Sequence, residues 1–269
     1  MYKLIALDLD GTLLTSDKTI SQRTKHTIAE ARKRGVKVVL ASGRPLDGMQ
    51  SKLDELEIEG DNEFVVFFNG SMVKEIGTNR VIHSAIIDGK RAKQVAQLAN
   101  KLNLDCHAFS NELGLITPKL NEFTDVEATI NQSPVIEKSF DELEDDHPII
   151  KAMIVGAPDK LTAAINNIPA SYQDEFTIVQ SAPIFLEFLN LESNKGVGIK
   201  AIAEHLGITS SEVICMGDAE NDHHMIEYAG LGVAMQNAME QTKAIANHIT
   251  LSNDDDGVAT VIEEFILAR

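Results

Sequence analysis

The sequence is short of cysteine, of basic residues and of long apolar runs, and each shortage excludes a class of protein. The two cysteines, Cys106 and Cys215, have no metal-ligand spacing and predict reduced thiols in a cytosolic protein. Lys and Arg number 24 against 41 Asp and Glu, a formal net charge of −17, which disfavours nucleic acid and anionic membranes as partners. No apolar stretch approaches the ~20 residues of a membrane helix, and the N-terminus has no signal-peptide pattern. We therefore expect a cytoplasmic protein with no membrane partner.

What the sequence does contain is an alternation of strands and helices. Nearly continuous apolar runs are typical of parallel strands covered on both faces. A helix between the first two runs has Ser21 as its N-cap and Gly35 as its stop, and a second helix starts at Pro45. This order predicts βαβ units and a doubly wound, mostly parallel sheet. The four runs are residues 3–7, 36–41, 64–68 and 213–216.

The pattern changes after Asn69-Gly70. A hairpin is predicted over residues 72–83, followed by a block with two or three helices and five candidate strands. The strand-helix alternation returns at Lys195, with Gly207 as the stop of the next helix. The simplest interpretation is an α/β core domain, residues 1–83 and 190–269, interrupted by an inserted α/β domain, residues 84–189.

Polar side chains follow each of the four apolar runs. Because ligands of open α/β sheets bind at the carboxyl ends of the strands, we expect these side chains to share one cleft. The polar residues, and the glycines that offer backbone amides beside them, are Asp8 and Asp10 in "DLDGTLL", Ser42, Gly43 and Arg44 in "ASGRP", Asn69 and Gly70, and Asp218, Asn221 and Asp222 in "GDAEND".

Several carboxylates in one cleft repel one another unless a cation lies among them. Hard oxygen ligands favour Mg²⁺, with Asp8 and Asp218 as direct ligands. Asp8 can then attack phosphorus, while Asp10 protonates the leaving oxygen and later takes a proton from water. Ser42 and Lys195, just ahead of a helix, would bind the phosphoryl oxygens.

Each motif alone is weak evidence, and it is their order and their position at strand ends that indicate a phosphoryl-transfer site. His223 and His224 invite a metal interpretation. Adjacent helical residues point about 100° apart, however, so the pair predicts structural or solvent-facing roles.

The four motifs, "DLDGTLL", "ASGRP", "NKG" and "GDAENDHHMIEYAGLGVAM", resemble those of the haloacid dehalogenase superfamily. The position and size of the insert resemble the Cof-type subgroup of sugar phosphatases, with a type IIB cap. The resemblance implies a Rossmann-like core, a cap over residues 84–189, Mg²⁺ dependence and an aspartyl-phosphate intermediate.

The resemblance also implies roles for individual residues. Asp8 matches the nucleophile and Asp10 the general acid and base, whose backbone carbonyl also binds Mg²⁺. Asp218 matches the acidic metal ligand, and Asp222 a carboxylate that supports the ligands from behind. His223 and His224 depart from the small or apolar residues usual after "ND". The matched phosphate-binding residues are Ser42, Gly43, Lys195 and Asn221.

The expected function is that of a cytoplasmic Mg²⁺-dependent phosphatase that hydrolyses small phosphorylated metabolites. Sugar phosphates are the substrate class we expect. A phosphosugar mutase of the same superfamily would return the phosphoryl group to a sugar instead of to water. A dehalogenase fits less well, because that chemistry needs no proton shuttle at Asp10. The alternative from another class is a binding protein for phosphorylated metabolites that keeps the fold without turnover.

Overall fold

The computed structural model describes residues 1–131 and 133–268, which form two compact units. The core unit comprises Met1–Ser84 and the described residues from Asn194 onward, and the inserted unit comprises Ala85–Ser193. Each unit has its own sheet and apolar core. Among the described residues, no helix has the length and apolar character needed to cross a membrane.

The first part of the core unit alternates strand and helix before it ends in a hairpin. Helix α1 is capped by Ser21, whose side chain accepts from the Thr24 amide, and it is followed by Gly35 at φ 83°. The elements are β1 (Leu4–Leu7), α1 (Gln22–Lys33), β2 (Lys37–Ala41), α2 (Asp47–Glu55), β3 (Phe64–Phe67), β4 (Met72–Glu75) and β5 (Val81–Ser84).

The inserted unit is a mostly antiparallel sheet with three helices. Strand order is β11-β12-β10-β7-β8-β9, with β6 pairing β10 and only β8 and β9 parallel among these described pairs. Its elements are β6 (Ile87–Asp88), α3 (Gly89–Lys101), β7 (Asp105–Ser110), β8 (Gly114–Thr117), α4 (Glu122–Asn131), β9 (Val135–Glu137), β10 (Pro148–Val155), α5 (Pro158–Ile165), β11 (Phe176–Ala182) and β12 (Phe185–Asn190).

The chain then completes the core unit. Asn194 caps α6, and Gly207 ends it in the left-handed region at φ 66°. The remaining elements are α6 (Lys195–Leu206), β13 (Val213–Gly217), α7 (His223–Tyr228), β14 (Leu231–Ala234), α8 (Glu240–Ile245), β15 (His248–Ile249) and α9 (Gly257–Ile262), with a π-helical turn over Glu263–Leu267.

The core sheet has the order β15-β14-β13-β1-β2-β3-β4-β5, parallel except for the β3-β4 and β4-β5 pairs. From β1, the chain adds β2 and β3 on one side and later adds β13 and β14 on the other. The strand order therefore reverses between β1 and β13, which is where ligands bind in open α/β sheets. Leu7 pairs with Met216, so the residues that follow these two strands emerge side by side.

The α/β fold class, with a mostly parallel core and an inserted α/β unit, is confirmed. Two helix bounds are corrected. Helix α2 begins at Asp47, because the chain at Pro45 still forms a turn in which the Gly48 amide donates to the Pro45 carbonyl. Lys195 is the first residue of α6 and does not precede it. Helix α8 and strands β6, β9 and β15 were not predicted; each has no more than six residues.

Candidate active site

Lys195 lies at the first turn of α6 with no solvent exposure, and its ammonium group joins two carboxylates. Nζ is 2.5 Å from Oδ1 of Asp8 and 2.6 Å from Oδ1 of Asp222. The other oxygen of Asp222 accepts from the amides of Asp218 and Ala219, at 2.9 and 3.1 Å. Asp222 thus fixes both the lysine and the backbone that presents Asp218.

Asp218 lies close to Asp8 and completes a group of three carboxylates. The three side chains of Asp8, Asp218 and Asp222 each offer an oxygen within 4.8 Å of the others. Thr12 donates to Oδ1 of Asp218 at 2.9 Å. Gly11, which precedes Thr12 in the turn after β1, has φ 85°, and a Cβ there would collide with the Asp218 carboxylate. Only glycine therefore fits this turn.

The charges in this group do not balance, because one lysine faces three aspartates. Burial raises the pKa of Asp8 well above its ordinary value; Lys195 opposes the rise, and Asp222 and Asp218 add to it. Burial, together with the charge of Asp222, raises the pKa of Asp218 to about 6. Both oxygens of Asp222 are already occupied, so Asp8 and Asp218 are the carboxylates left to face a cation. Their hard oxygens fit Mg²⁺.

Asp10 lies at the surface end of the same turn and has different partners. Its Oδ1 accepts from Nζ of Lys18 and from Nη2 of Arg44, both at 2.8 Å, and its Oδ2 accepts from Nε of Arg44 at 3.0 Å. Burial alone would raise the pKa of Asp10, but Lys18 and Arg44 outweigh it and hold that pKa below its usual value. In this conformation both oxygens of Asp10 accept hydrogen bonds from cationic side chains.

The candidate phosphate-binding residues lie at the ends of neighbouring strands. Ser42 is buried just after β2, and its hydroxyl accepts from the amide of Arg44 at 3.2 Å. Asn221 donates to Oδ1 of Asn69 at 3.0 Å, and a Cβ on Gly43 would lie 3.0 Å from Nδ2 of the same asparagine. Asn69, in the left-handed region at φ 54°, thus links the ends of β2 and β3 to the loop after β13.

The two histidines take the roles expected of them from helix geometry. His223 is half-buried, with Nε2 2.9 Å from the hydroxyl of Thr242, and His224 is exposed. Neither joins a group of three possible metal ligands among the described residues.

The sequence did not assign Lys18 or Asn237 to this region. Asn237 donates to the carbonyl of Gly11 at 2.8 Å and so braces the turn after β1. Asn69 was expected in the cleft because its position directly after a predicted strand is a signal of that site, but no individual role was assigned to it from the sequence. Lys18 and Asn237 lie in loops without such a signal.

Comparisons with known proteins agree with this geometry. The family model of haloacid dehalogenase-like hydrolases matches residues 5–262. The chain is 38% identical to "Putative phosphatase YxeH" of Bacillus subtilis, over the full length of both. A haloacid dehalogenase-like hydrolase from Bacteroides thetaiotaomicron superposes with a TM-score of 0.86 at 33% identity, covering 99% of this chain and all of that one.

A solved sugar phosphatase of the subclass IIB, BT4131, superposes with a TM-score of 0.79 at 25% identity, covering 98% of each chain. These likenesses extend over both units. The chain belongs to the haloacid dehalogenase-like hydrolase family, in agreement with a Cof-type protein that carries a type IIB cap.

Proposed function

We propose that this chain is a Mg²⁺-dependent phosphatase that hydrolyses small phosphorylated metabolites through an aspartyl-phosphate on Asp8. Sugar phosphates are its proposed preferred substrates. The observation that carries the proposal is the contact of Asp8 with Lys195, at 2.5 Å, inside a group of three carboxylates. The names of the relatives, a phosphatase and a sugar phosphatase, support the reaction class and the substrate class.

In the first step, an oxygen of Asp8 attacks phosphorus and the bond from phosphorus to the leaving oxygen breaks. Asp10 acts here in its protonated form and gives its proton to that oxygen, which leaves as the alcohol. Lys195, fixed by Asp222, offsets the charge on the phosphoryl oxygens, and Ser42, Gly43 and Asn221 complete their binding.

In the second step, Asp10 takes a proton from water, and the oxygen of that water attacks phosphorus. The bond between phosphorus and Asp8 breaks, which releases inorganic phosphate and restores the carboxylate. A Mg²⁺ held by Asp8, Asp218 and the backbone carbonyl of Asp10 would add positive charge beside the phosphoryl group. We assign the inserted unit, predicted as residues 84–189, as the cap that supplies selectivity for the leaving group.

The test is a phosphate-release screen of the whole chain over sugar phosphates, sugar-alcohol phosphates and nucleotides, with and without Mg²⁺. We expect Mg²⁺-dependent release of phosphate, greatest with sugar phosphates. An isomeric hexose phosphate without free phosphate would instead identify a mutase. Absence of turnover on the whole panel, with binding retained, would identify a binding protein and overturn the proposal.

A further inference from the structure

The carboxylate of Asp10 is hydrogen-bonded by two cationic side chains, Arg44 and Lys18, which differ in the number of their hydrogen bonds and in their exposure. Arg44 supplies two parallel hydrogen bonds, Nε to Oδ2 at 3.0 Å and Nη2 to Oδ1 at 2.8 Å. Lys18 supplies one, at 2.8 Å, from a side chain that is 63% exposed. A guanidinium fork fixes the plane of a carboxylate, whereas an ammonium group acts as a point charge.

Arg44 is itself fixed by the ends of three elements. Its amide donates to Oγ of Ser42 at 3.2 Å, and its carbonyl accepts from the Phe68 amide at 3.0 Å. Its remaining terminal nitrogen, Nη1, donates to the carbonyl of Gly48 in α2 at 3.4 Å. The orientation of this guanidinium is therefore set by the core sheet and by α2, and it transfers that orientation to Asp10.

Lys18 has a looser attachment. It lies in a turn closed by Thr15 and Thr19, at φ 60°, and its amide donates to the Thr15 carbonyl at 2.8 Å. Its side chain is about twice as exposed as that of Arg44, 63% against 31%. A long exposed side chain loses much of its ion-pair energy to water and to entropy.

We propose that Arg44 is a positioning residue that aims the carboxyl group of Asp10 at the leaving-group oxygen, with Lys18 a dispensable second contact. The inference rests on the proposed function and names the residue that makes its proton transfer efficient. Arg44 acts through Asp10, since, among the described residues, both hydrogen bonds that its guanidinium donates to a side chain end on that carboxylate.

This role has a signature in the leaving group. An alkyl or sugar oxygen leaves from phosphorus only as it gains a proton, so its transfer needs a correctly placed Asp10. The 4-nitrophenolate ion is a weak base and leaves without a proton. Misplacing Asp10 should therefore slow release of the sugar in a single turnover and spare release of 4-nitrophenolate, whereas the second step, in which Asp10 acts on water, is slowed equally for both substrates.

The experiment measures the single-turnover rate of leaving-group release, with kcat and KM, for both substrates in wild type, Arg44→Lys, Arg44→Met and Lys18→Met. The matched control is Arg23→Met, which removes a comparable fork between Arg23 of α1 and Glu263, with bonds of 3.1 and 2.7 Å. Melting curves identify any variant that fails to fold. Arg44→Lys keeps the charge and loses the fork, so it tests orientation even if Arg44→Met is unstable.

We expect the single-turnover rate for the sugar phosphate to fall about 10- to 100-fold in both Arg44 variants, with KM nearly unchanged and a much smaller fall in that rate for 4-nitrophenyl phosphate. In an Asp10→Asn background, the Arg44 substitutions should add little further loss, because the group they aim is gone. Arg23→Met should stay close to wild type, and Lys18→Met should lose less than either Arg44 variant.

Equal losses of the single-turnover rate on both substrates, or the full Arg44 effect in the Asp10→Asn background, would overturn the inference and leave Arg44 a merely structural residue. Neither result would touch the proposed function, which wild-type turnover tests by itself. Conversely, a wild type that hydrolyses neither substrate refutes the proposed function and the inference together.

Discussion

Each unit of this protein buries one lysine between two carboxylates, and the two clusters differ in what surrounds them. In the core unit, Lys195 contacts Asp8 and Asp222 at 2.5 and 2.6 Å. In the inserted unit, Lys151 on β10 contacts Glu187 of β12 at 2.7 Å and lies 3.6 Å from Glu127 of α4. Both lysines are at most 2% exposed.

The first difference is charge. The Lys195 cluster includes a third carboxylate, Asp218, and carries a formal excess of two negative charges when all three are ionised. The Lys151 cluster has two carboxylates and an excess of one. Burial lowers the pKa of Lys151, but Glu187 and Glu127 outweigh it and raise that pKa. The lysine therefore stays charged beside the two glutamates.

The second difference is position in the fold. Lys195 begins a helix beside the ends of parallel strands, where loops leave backbone amides and side chains to meet a ligand. Lys151 stands in the middle of an eight-residue strand, beneath α4, with its Nζ 5.3 Å from the ring of Phe109. A buried lysine between acids is thus not itself a sign of catalysis. The surplus acid and the strand ends distinguish the candidate active site.

The largest effect should come from neutralising one carboxylate in each cluster. We expect Asp8→Asn to lower kcat on the order of 10⁴-fold, because the amide cannot attack phosphorus. Glu187→Gln should leave kcat near wild type and lower stability instead. Phosphate release measures kcat, and denaturant unfolding measures stability, in both variants. A loss of turnover in Glu187→Gln comparable to that of Asp8→Asn, at preserved fold, would mean that the inserted unit takes part in the chemistry.

Removing the lysines should give the next largest effect. Lys151→Met leaves two buried carboxylates without a cation, which costs about 3–5 kcal/mol of unfolding free energy. Lys195→Met creates the same imbalance beside a site with free carboxylate oxygens. We expect Mg²⁺ to restore much of the melting temperature of Lys195→Met and none of that of Lys151→Met, because bound ligand stabilises the folded state. An equal response to Mg²⁺ in both variants would contradict the distinction between the clusters.

The sequence was most informative where local pattern and function coincide. Asp8 and Asp218 could be placed together because each follows an apolar run, and parallel strands end at one edge of the sheet. The start of α1 at Ser21 and the end of α6 at Gly207 could also be predicted, because each depends on a short-range hydrogen bond or on local backbone conformation.

The remaining contacts depend on pairings that are distant along the chain. Lys151 and Glu187 are 36 residues apart, and nothing near either residue identifies its partner. A lone lysine within "PIIKAMIV" and a lone glutamate within "FLEFLN" were the available signal. Lys18 lies in a turn whose conformation is set by Thr15 and Thr19, so its contact with Asp10 could not be inferred from spacing.

The smallest effect concerns pH and again separates the two clusters. His107 of β7 is fully buried, with Nδ1 3.0 Å from the hydroxyl of Thr124, and burial and the charge of Lys151 lower its pKa to about 3. The unfolded chain takes up this proton below about pH 6.5, whereas the folded chain does not. The unfolding free energy must therefore fall as pH decreases from about 6.5 towards 3, by about 1.4 kcal/mol per pH unit for this one group.

The measurement compares wild type with His107→Gln at pH 7 and pH 5, by denaturant unfolding and by hydrogen exchange of amides in the inserted unit. Exposed His26→Gln is the matched control. Wild type should lose about 2 kcal/mol more than His107→Gln over this interval. Burial also raises the pKa of Glu127, but that glutamate is present in both proteins, so its contribution largely cancels in the difference. If wild type and His107→Gln lose stability in parallel, His107 is protonated in the folded chain, and the charge balance assigned to the Lys151 cluster is wrong.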